Sequence, residues 1–395
     1  MSARVLVTDG EQRAALAIVR SLGRAGYMLF VCSSDGRSLA GASRYANRDL
    51  PFPDPLREPN RYAMAVEGAV RTLEIDVVLP VTEAALLATL PVRARLSARL
   101  PFVDLDRFRA VSDKDRVLSI ASKLGIAVPH QTVIASRNAG PALTDEALRF
   151  PLVLKPSRSV VNSGSGRTQL VVMHAADQAE FRECLDRIPE GSFPILAQER
   201  VVGPGVGIFL LIWDNQLFGM FAHRRLREKP PSGGVSVYRE SVRAEPELIA
   251  RSRELLTRFD WAGVAMIEYK IAAATGTPYL MEINGRFWGS LQLAIDAGVD
   301  FPGLLTALAL GQRPAPVTTY RVGVRSRWFW GDVDHLLARL RRSPAELALP
   351  PGSPSRWRTA WDFATSWMAT GREEILWFRD PMPFMRESCK WFEDL

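Results

Sequence analysis

Over residues 1 to 105 strand-like and helix-like runs take turns, and few architectures accept that pattern. "RVLVTDG" reads as a strand, "EQRAALAIVRSLGRAG" as an amphipathic helix ending at Gly26, and "YMLFVCSS" as a buried strand. A helix follows at "NRYAMAVEGAVRTLEI", then a buried strand at "DVVLPV" and a further helix from "TEAALLATLPVRARL". Near-continuous apolar strands separated by helices predict a parallel sheet covered on both faces. Ligands on such sheets gather at the carboxyl ends of strands, which singles out Asp9 and Gly10 after the first strand and Thr82 and Glu83 after "VVLPV". Glu83 equally suits the first turn of a helix, where acidic residues are favoured. The turn after the first strand lacks G-x-G-x-x-G, so a dinucleotide site gains little support.

From residue 106 the pattern changes. "SDKDRVLSIASKLGIAVPHQ" predicts a helix capped by Ser112 and stopped by Gly125. "FPLVLKPSRSVVNSGSGRTQLVVM" predicts a strand carrying Lys155, a small-residue loop and a second strand. This is not a P-loop, in which the glycine turn opens a helix. The loop from Asn162 to Gly166 can fold as a flap whose backbone N–H groups meet phosphate oxygens, or as a plain hairpin loop. "QLFGMFAHRRLREKPPSGGVS" reads as a strand leading into a basic loop. That loop offers Arg224, Arg225 and Arg227 to an anionic substrate or to solvent. His223 sits beside them. His130, His174 and His335 are isolated in sequence and read as structural or surface residues.

In "YLMEINGRFWGS", Glu282, Asn284 and Arg286 fall at alternate positions and so project together from an extended chain. If "AMIEYK" pairs with "YLMEIN" around a turn near Gly276, Glu268 falls across the ladder from Glu282. Facing carboxylates repel unless a cation lies between them. Mg2+ takes hard oxygens, commonly one or two carboxylates, and completes its shell with water and substrate phosphates. The pattern therefore predicts a metal-nucleotide site.

The composition closes off other classes. The formal charge of +7 is spread thinly, without basic stripes interleaved with stacking aromatics, which argues against a nucleic-acid partner. The most apolar run, "GVGIFLLIW", is far shorter than the roughly 20 residues of a transmembrane helix. Cys32, Cys184 and Cys389 are few and scattered, and the N-terminus lacks a secretory pattern; both features fit a cytoplasmic protein.

Six segments, "SDK" at 112–114, "LVLKP" at 152–156, "NSGSGR" at 162–167, "AQERVVG" at 197–203, "IEYK" at 267–270 and "MEINGR" at 281–286, stand in an order that resembles the ATP-grasp superfamily, in its carbamoyl-phosphate synthetase and biotin-carboxylase-like branch. The resemblance implies an α/β and α+β protein with three parts. A pre-ATP-grasp parallel-sheet domain would occupy 1–105. A two-lobed ATP-grasp domain would occupy 106–310, with its small lobe at about 112–196 and its large lobe at about 197–310. A Trp-rich, mainly helical segment would occupy 311–395. It implies ATP and one or two Mg2+ ions, with Mn2+ as a substitute. By position, Lys114 and Lys155 would contact the nucleotide, and the loop containing Ser163, Gly164, Ser165 and Gly166 would close over the phosphates. Gln198, Glu199, Arg200 and Val201 would meet adenine through the backbone. Glu268, Glu282 and Asn284 would hold the metal, Arg286 would steady the transferring phosphoryl group, and Arg225 would hold the anionic substrate. Relatives place an acidic residue shortly after the hinge for the ribose; here "GPGVGIFL" puts Val206 there, and no ribose contact is assigned.

The implied reaction joins a carboxylate to an amine, amino acids among the candidates, through an acylphosphate. A bicarbonate-activating carboxylase is the enzymatic alternative, disfavoured because Phe287, Trp288 and Gly289 follow Arg286 where those relatives have Q-V-E. A non-catalytic nucleotide-binding module is the other. Seven of the ten Trp residues lie beyond residue 311, in stretches that suit packing on the lobes, a homodimer contact or peripheral contact with a membrane.

Overall fold

The computed structural model describes residues 2–394 except 141–142, 144–147, 158–159, 164–165, 170–171, 351 and 369–371. Strands β1 (Arg4–Val7), β2 (Met28–Ser33), β3 (Arg48–Pro51) and β4 (Val77–Leu79) form a wholly parallel sheet in the order β3-β2-β1-β4. Val5, Leu6, Val7, Val77, Val78 and Leu79 are fully buried, as expected of strands covered on both faces. The chain leaves β1 toward β2 on one side and reaches β4 on the other, so the crevice between β1 and β4 is a switch point. Asp9 and Thr82 meet there: Asp9 accepts from the Thr82 hydroxyl at 2.8 Å and from the Val81 and Thr82 amides at 3.1 Å. The short polar strand β3 carries no sequence signal of its own.

The next sheet comes from β5 (Gln131–Ile134), β6 (Leu152–Pro156), β9 (Met173–Ala175) and β10 (Ile195–Glu199), all antiparallel in the order β5-β10-β6-β9, with a separate hairpin of β7 (Val160–Ser163) and β8 (Gly166–Gln169). It has a small core of its own, built on Leu152, Leu154, Phe181, Leu185 and Ile195. The helix before it starts at Lys114 with Asp113 as its cap, the Asp113 carboxylate accepting from the Arg116 amide at 3.2 Å; Ser112 instead ends the preceding helix. A carboxylate at the cap complements the helix N-terminus more strongly than the hydroxyl would. Gly125 stops the helix at φ +70°.

The third sheet holds β11 (Gly205–Trp213), β12 (Gln216–Lys229), β13 (Val235–Ser241), β14 (Gly263–Ile271), β15 (Pro278–Asn284), β16 (Arg325–Arg327) and β17 (Arg372–Glu373), in the order β15-β14-β11-β12-β13-β16-β17. Its apolar face shares one continuous core with the parallel sheet. One sequence expectation is corrected here. The Arg224–Arg227 stretch is not a loop: β12 runs on to Lys229, because β13 supplies a ladder partner that the sequence of β12 alone does not reveal. The segment beyond 311 is mainly helical as expected, with helices Phe329–Arg341, Arg356–Met368 and Met382–Glu393, and the short strands β16 and β17 extend the sheet beside them. Among the described residues, no single helix is long and apolar enough to cross a membrane.

This last segment is fastened by buried charge. Arg20, fully buried, donates to the Asp380 carboxylate at 2.8 Å and to the carbonyls of Glu374, Ile375 and Asp380, and its guanidinium lies 4.3 Å from the Trp377 ring. Glu374 bridges Arg13, at 2.6 Å, and Arg239. Trp330 and Trp391 stack at 4.1 Å, while Trp357 and Trp361 stay exposed.

Candidate active site

Strands β14 and β15 pair antiparallel around Gly276, which takes φ +71°. Their register sets Glu268 directly opposite Glu282 and Met266 opposite Asn284. The row continues across the sheet: Glu268 faces Gly207 on β11, and Gly207 faces His223 on β12. Residues paired in this way share a face, and glycine at 207 makes room there for the Phe209 ring and His223. A Cβ there would lie 2.5 Å from the Phe209 ring and 2.9 Å from His223. At Gly205 it would lie 2.9 Å from the Arg225 side chain. The two glycines let Arg225 cross β11 and reach Glu268 on β14 at 2.5 Å.

Each acidic group at this end has a partner. Glu282 meets the Lys114 ammonium at 3.3 Å and accepts from the Asn284 amide at 2.9 Å. Arg286 donates to Asn284 Oδ1 at 3.2 Å. Arg225 is held by Glu228 at 2.8 Å as well as by Glu268. Burial pushes the Glu282 carboxyl up, but Lys114 and Lys155 more than offset it and bring it down to about 2. Burial also pushes Glu268 up, and the neighbouring Glu282 charge adds to that against the pull of Arg225, so Glu268 is raised. Lys155, on β6, is lowered by burial against the opposing pull of Glu282 and Glu268. A charged pair sharing one small space is thus divided into one carboxyl held ionised and one inclined to hold a proton.

The donor set is two carboxylates and one amide oxygen, all hard, which suits Mg2+. Among the described residues, no group of three or more His, Cys, Asp or Glu side chains could hold a metal by itself. That composition fits an ion that shares its coordination with phosphates.

These groups open onto one cleft of about 1120 Å3. Val153, Val172, Met266 and Met281 give it apolar lining, with Lys155, His174 and the Gln198–Val201 run also on its wall. It reaches Asp9, Glu11 and Phe52 from the parallel sheet.

A model of the family described as "ATP-grasp in the biosynthetic pathway with Ter operon" matches residues 194–330, the segment that carries Glu268, Glu282 and Asn284. In fold, the chain is similar to an L-amino acid ligase from Bacillus licheniformis, with a TM-score of 0.61 at 18% identity, over 78% of this chain and 74% of the other. It is also similar to the biotin carboxylase domain of a Hydrogenobacter thermophilus 2-oxoglutarate carboxylase, crystallised as a dimer with MgADP, ADP and bicarbonate; the TM-score is 0.62 at 12% identity, over 82% and 73%. A third is N5-carboxyaminoimidazole synthetase from Staphylococcus aureus in complex with ADP, at TM-score 0.60 and 14% identity, over 82% and 80%. No curated protein matches the sequence. Residues 194–330 match an ATP-grasp family model, and about four-fifths of the chain shares the fold of these enzymes.

The site residues named from sequence fare differently in the structure. Lys114, Lys155, Glu268, Glu282, Asn284 and Arg286 line the cleft together. So do Gln198, Glu199, Arg200 and Val201, but the Glu199 and Arg200 amides already donate to the carbonyls of His130 and Pro151 at 2.8 and 2.9 Å, and Gln198 donates to Gln131. Gly164 and Ser165 lie outside the described residues, while Ser163 and Gly166 end the paired strands β7 and β8. Arg225 lines the cleft, yet its two terminal nitrogens are engaged by carboxylates, so the bidentate capture of an anion expected of a loop arginine is corrected. Arg224 pairs with Glu240 and Arg227 with Asp332. Met266, Met281 and Trp288 also line the cleft; in sequence they read as strand packing, and only the alternation with Glu268 and Glu282 could have hinted at a second role.

Proposed function

We propose that the protein is an ATP-dependent ligase that activates a carboxylate as an acylphosphate and joins it to an amine, releasing ADP and phosphate. The observation that carries this reading is the pairing of Glu268 with Glu282 beside Asn284, Lys114, Lys155 and Arg286 at the centre of one large cleft. The apolar lining of Val153, Val172 and Met281 suits a purine ring, and the backbone at Val201 is the hinge group best placed to meet its edge. Lys114 and Lys155 neutralise charge on the phosphates. Arg286 stands where the γ-phosphoryl group would transfer, able to stabilise charge spreading over its oxygens. Glu268, Glu282 and Asn284 would hold Mg2+, which when bound offsets the charge of the β- and γ-phosphates. Arg225 and Lys114 are its stand-ins within the chain, partners that those carboxylates can exchange.

A substrate carboxylate oxygen attacks the γ-phosphorus, ADP leaves, and an amine then displaces phosphate from the acyl carbon. The proteins of similar fold are an amino acid ligase, a carboxylase and a carboxyaminoimidazole synthetase. Intact carboxylates, lysines and Arg286 favour an active enzyme over a binding module. The test is incubation with ATP, Mg2+ and a panel of carboxylates and amines, with nucleotides separated by chromatography. ADP that depends on both substrates is the expected result. AMP and pyrophosphate, or bicarbonate-dependent ADP formation without an amine product, would overturn it.

A further inference from the structure

The helix Arg356–Met368 turns its largest apolar side chains outward. Its inward face carries Thr359, Phe363 and Ser366 at helical spacing. Thr359 is buried, the Phe363 ring lies 5.5 Å from the Arg327 guanidinium, and Ser366 accepts from Arg227 at 3.0 Å. The outward face carries Trp357, Trp361 and Ala364 at the same spacing. Trp357 is 84% exposed and Trp361 66%. A single exposed apolar residue is ordinary, but two indoles one turn apart on one helix face form a patch, and exposed patches mark contact surfaces.

The surroundings say what covers it. Arg356 donates to the Arg342 carbonyl at 3.2 Å, which sets the end of helix Phe329–Arg341 beside the start of this one. Arg341, Arg342, Arg356 and Arg358 are exposed around that junction, and Leu340, 38% exposed, adds apolar surface. Residues 339–366 hold five arginines against two acidic residues, Glu346 and Asp362, a net charge of +3. A second copy of the chain fits poorly, because a two-fold contact sets the patch on its own copy and brings arginines against arginines. The apolar area is also small for a protein partner. Two indoles at these exposures present on the order of 300–400 Å2, against roughly 800 Å2 per partner in a stable interface. Indoles flanked by guanidiniums match the boundary of an anionic bilayer, where the rings sit at headgroup level and the arginines meet lipid phosphates.

We infer that Trp357 and Trp361, with Arg341, Arg342, Arg356 and Arg358, dock the protein on a membrane surface of anionic lipid. The helix Arg356–Met368 lies in the plane of that surface with its indoles in the headgroup layer. The connector between the two helices reaches the cleft, since Arg200 on the cleft wall donates to the Ala348 carbonyl at 2.6 Å, so the docked segment is tied directly to that wall. The inference does not depend on the ligase reading.

The test is cosedimentation of the full chain with vesicles of phosphatidylcholine alone and of phosphatidylcholine mixed equally with phosphatidylglycerol. The mixed vesicles should bind at least about tenfold more tightly, and salt should weaken that binding steeply. Trp357→Ala combined with Trp361→Ala should lower partitioning about tenfold or more. Arg341→Gln combined with Arg342→Gln should also lower it about tenfold. Both variants should keep the wild-type melting temperature, because the replaced side chains are exposed. Brominated acyl chains in the mixed vesicles should quench wild-type indole fluorescence more than that of the Trp variant, a readout of ring insertion that needs no comparison of affinities. Equal binding to both kinds of vesicle, no binding to either, or a Trp variant that partitions like wild type would overturn the docking surface. So would light scattering that finds a wild-type dimer and a monomeric Trp variant, which would assign the patch to a second copy.

Discussion

Two buried ionic networks in this protein use the same chemistry and differ in access. Around Glu268 and Glu282, carboxylates meet Arg225 and Lys114 on the wall of an open cleft that Lys155 and Arg286 also line. Around Arg20, a fully buried guanidinium meets Asp380 where the last segment packs on the helix Arg13–Arg24. Arg20 and Asp380 also exhaust their remaining hydrogen bonds on Ser43, the Arg44 amide and main-chain carbonyls, so that pair has nothing left for a ligand. A pair in a closed core fastens two segments, while a pair on a cleft wall can exchange its cation for that of a metal-nucleotide. Buried charge alone therefore does not mark an active site; buried charge that a ligand can reach does.

Removing one member of each network should separate the two roles. Glu282→Gln should lower ATP turnover by about 10²–10³-fold or more at saturating Mg2+, while calorimetry shows a nearly unchanged melting temperature. Turnover within a few-fold of wild type would remove Glu282 from the chemistry. Asp380→Ala should act oppositely. It leaves Arg20 buried and unpaired and should cost about 3–5 kcal/mol in urea unfolding, with turnover per folded molecule retained. The combined Arg20→Met and Asp380→Leu replacement should recover most of that loss.

The smallest effect concerns pH. Glu387 accepts from the Trp328 indole at 2.6 Å at the edge of the closed network, and burial pushes its carboxyl from 4.5 up to about 7. A carboxyl raised on folding contributes stability that is complete below the unfolded value and is lost as pH rises through the folded one. Glu387→Gln keeps a neutral acceptor, so from pH 5 to pH 8 it should gain on wild type by about 1–2 kcal/mol after discounting for partial exposure. A constant difference across that range would contradict the assignment.

The cleft network was more legible in sequence than the core network. Glu268, Glu282 and Asn284 follow from period-two alternation on two strands joined by a short turn, so a local pattern places them. Arg20 lies in an amphipathic helix whose sequence offers solvent as readily as burial, and its partner Asp380 is 360 residues away. The crossing of Arg225 depends on Gly205 and Gly207, which belong to another strand and read locally as a turn. Sequence periodicity reports which face a residue occupies, and it is silent on which distant residue shares that face.

The account's central claim is that the cleft network serves phosphoryl transfer to a carboxylate. It is tested most directly with a carboxylate substrate labelled with 18O in both oxygens, incubated with unlabelled ATP, Mg2+ and an amine in ordinary water. Attack by the carboxylate on the γ-phosphorus leaves one labelled oxygen in the phosphate that the amine later displaces. Mass spectrometry should therefore find one 18O per released phosphate, none in ADP, and one in the amide product. Label in AMP would mean attack at the α-phosphorus, and unlabelled phosphate would mean that ATP is hydrolysed without activating the carboxylate; either result would contradict the account.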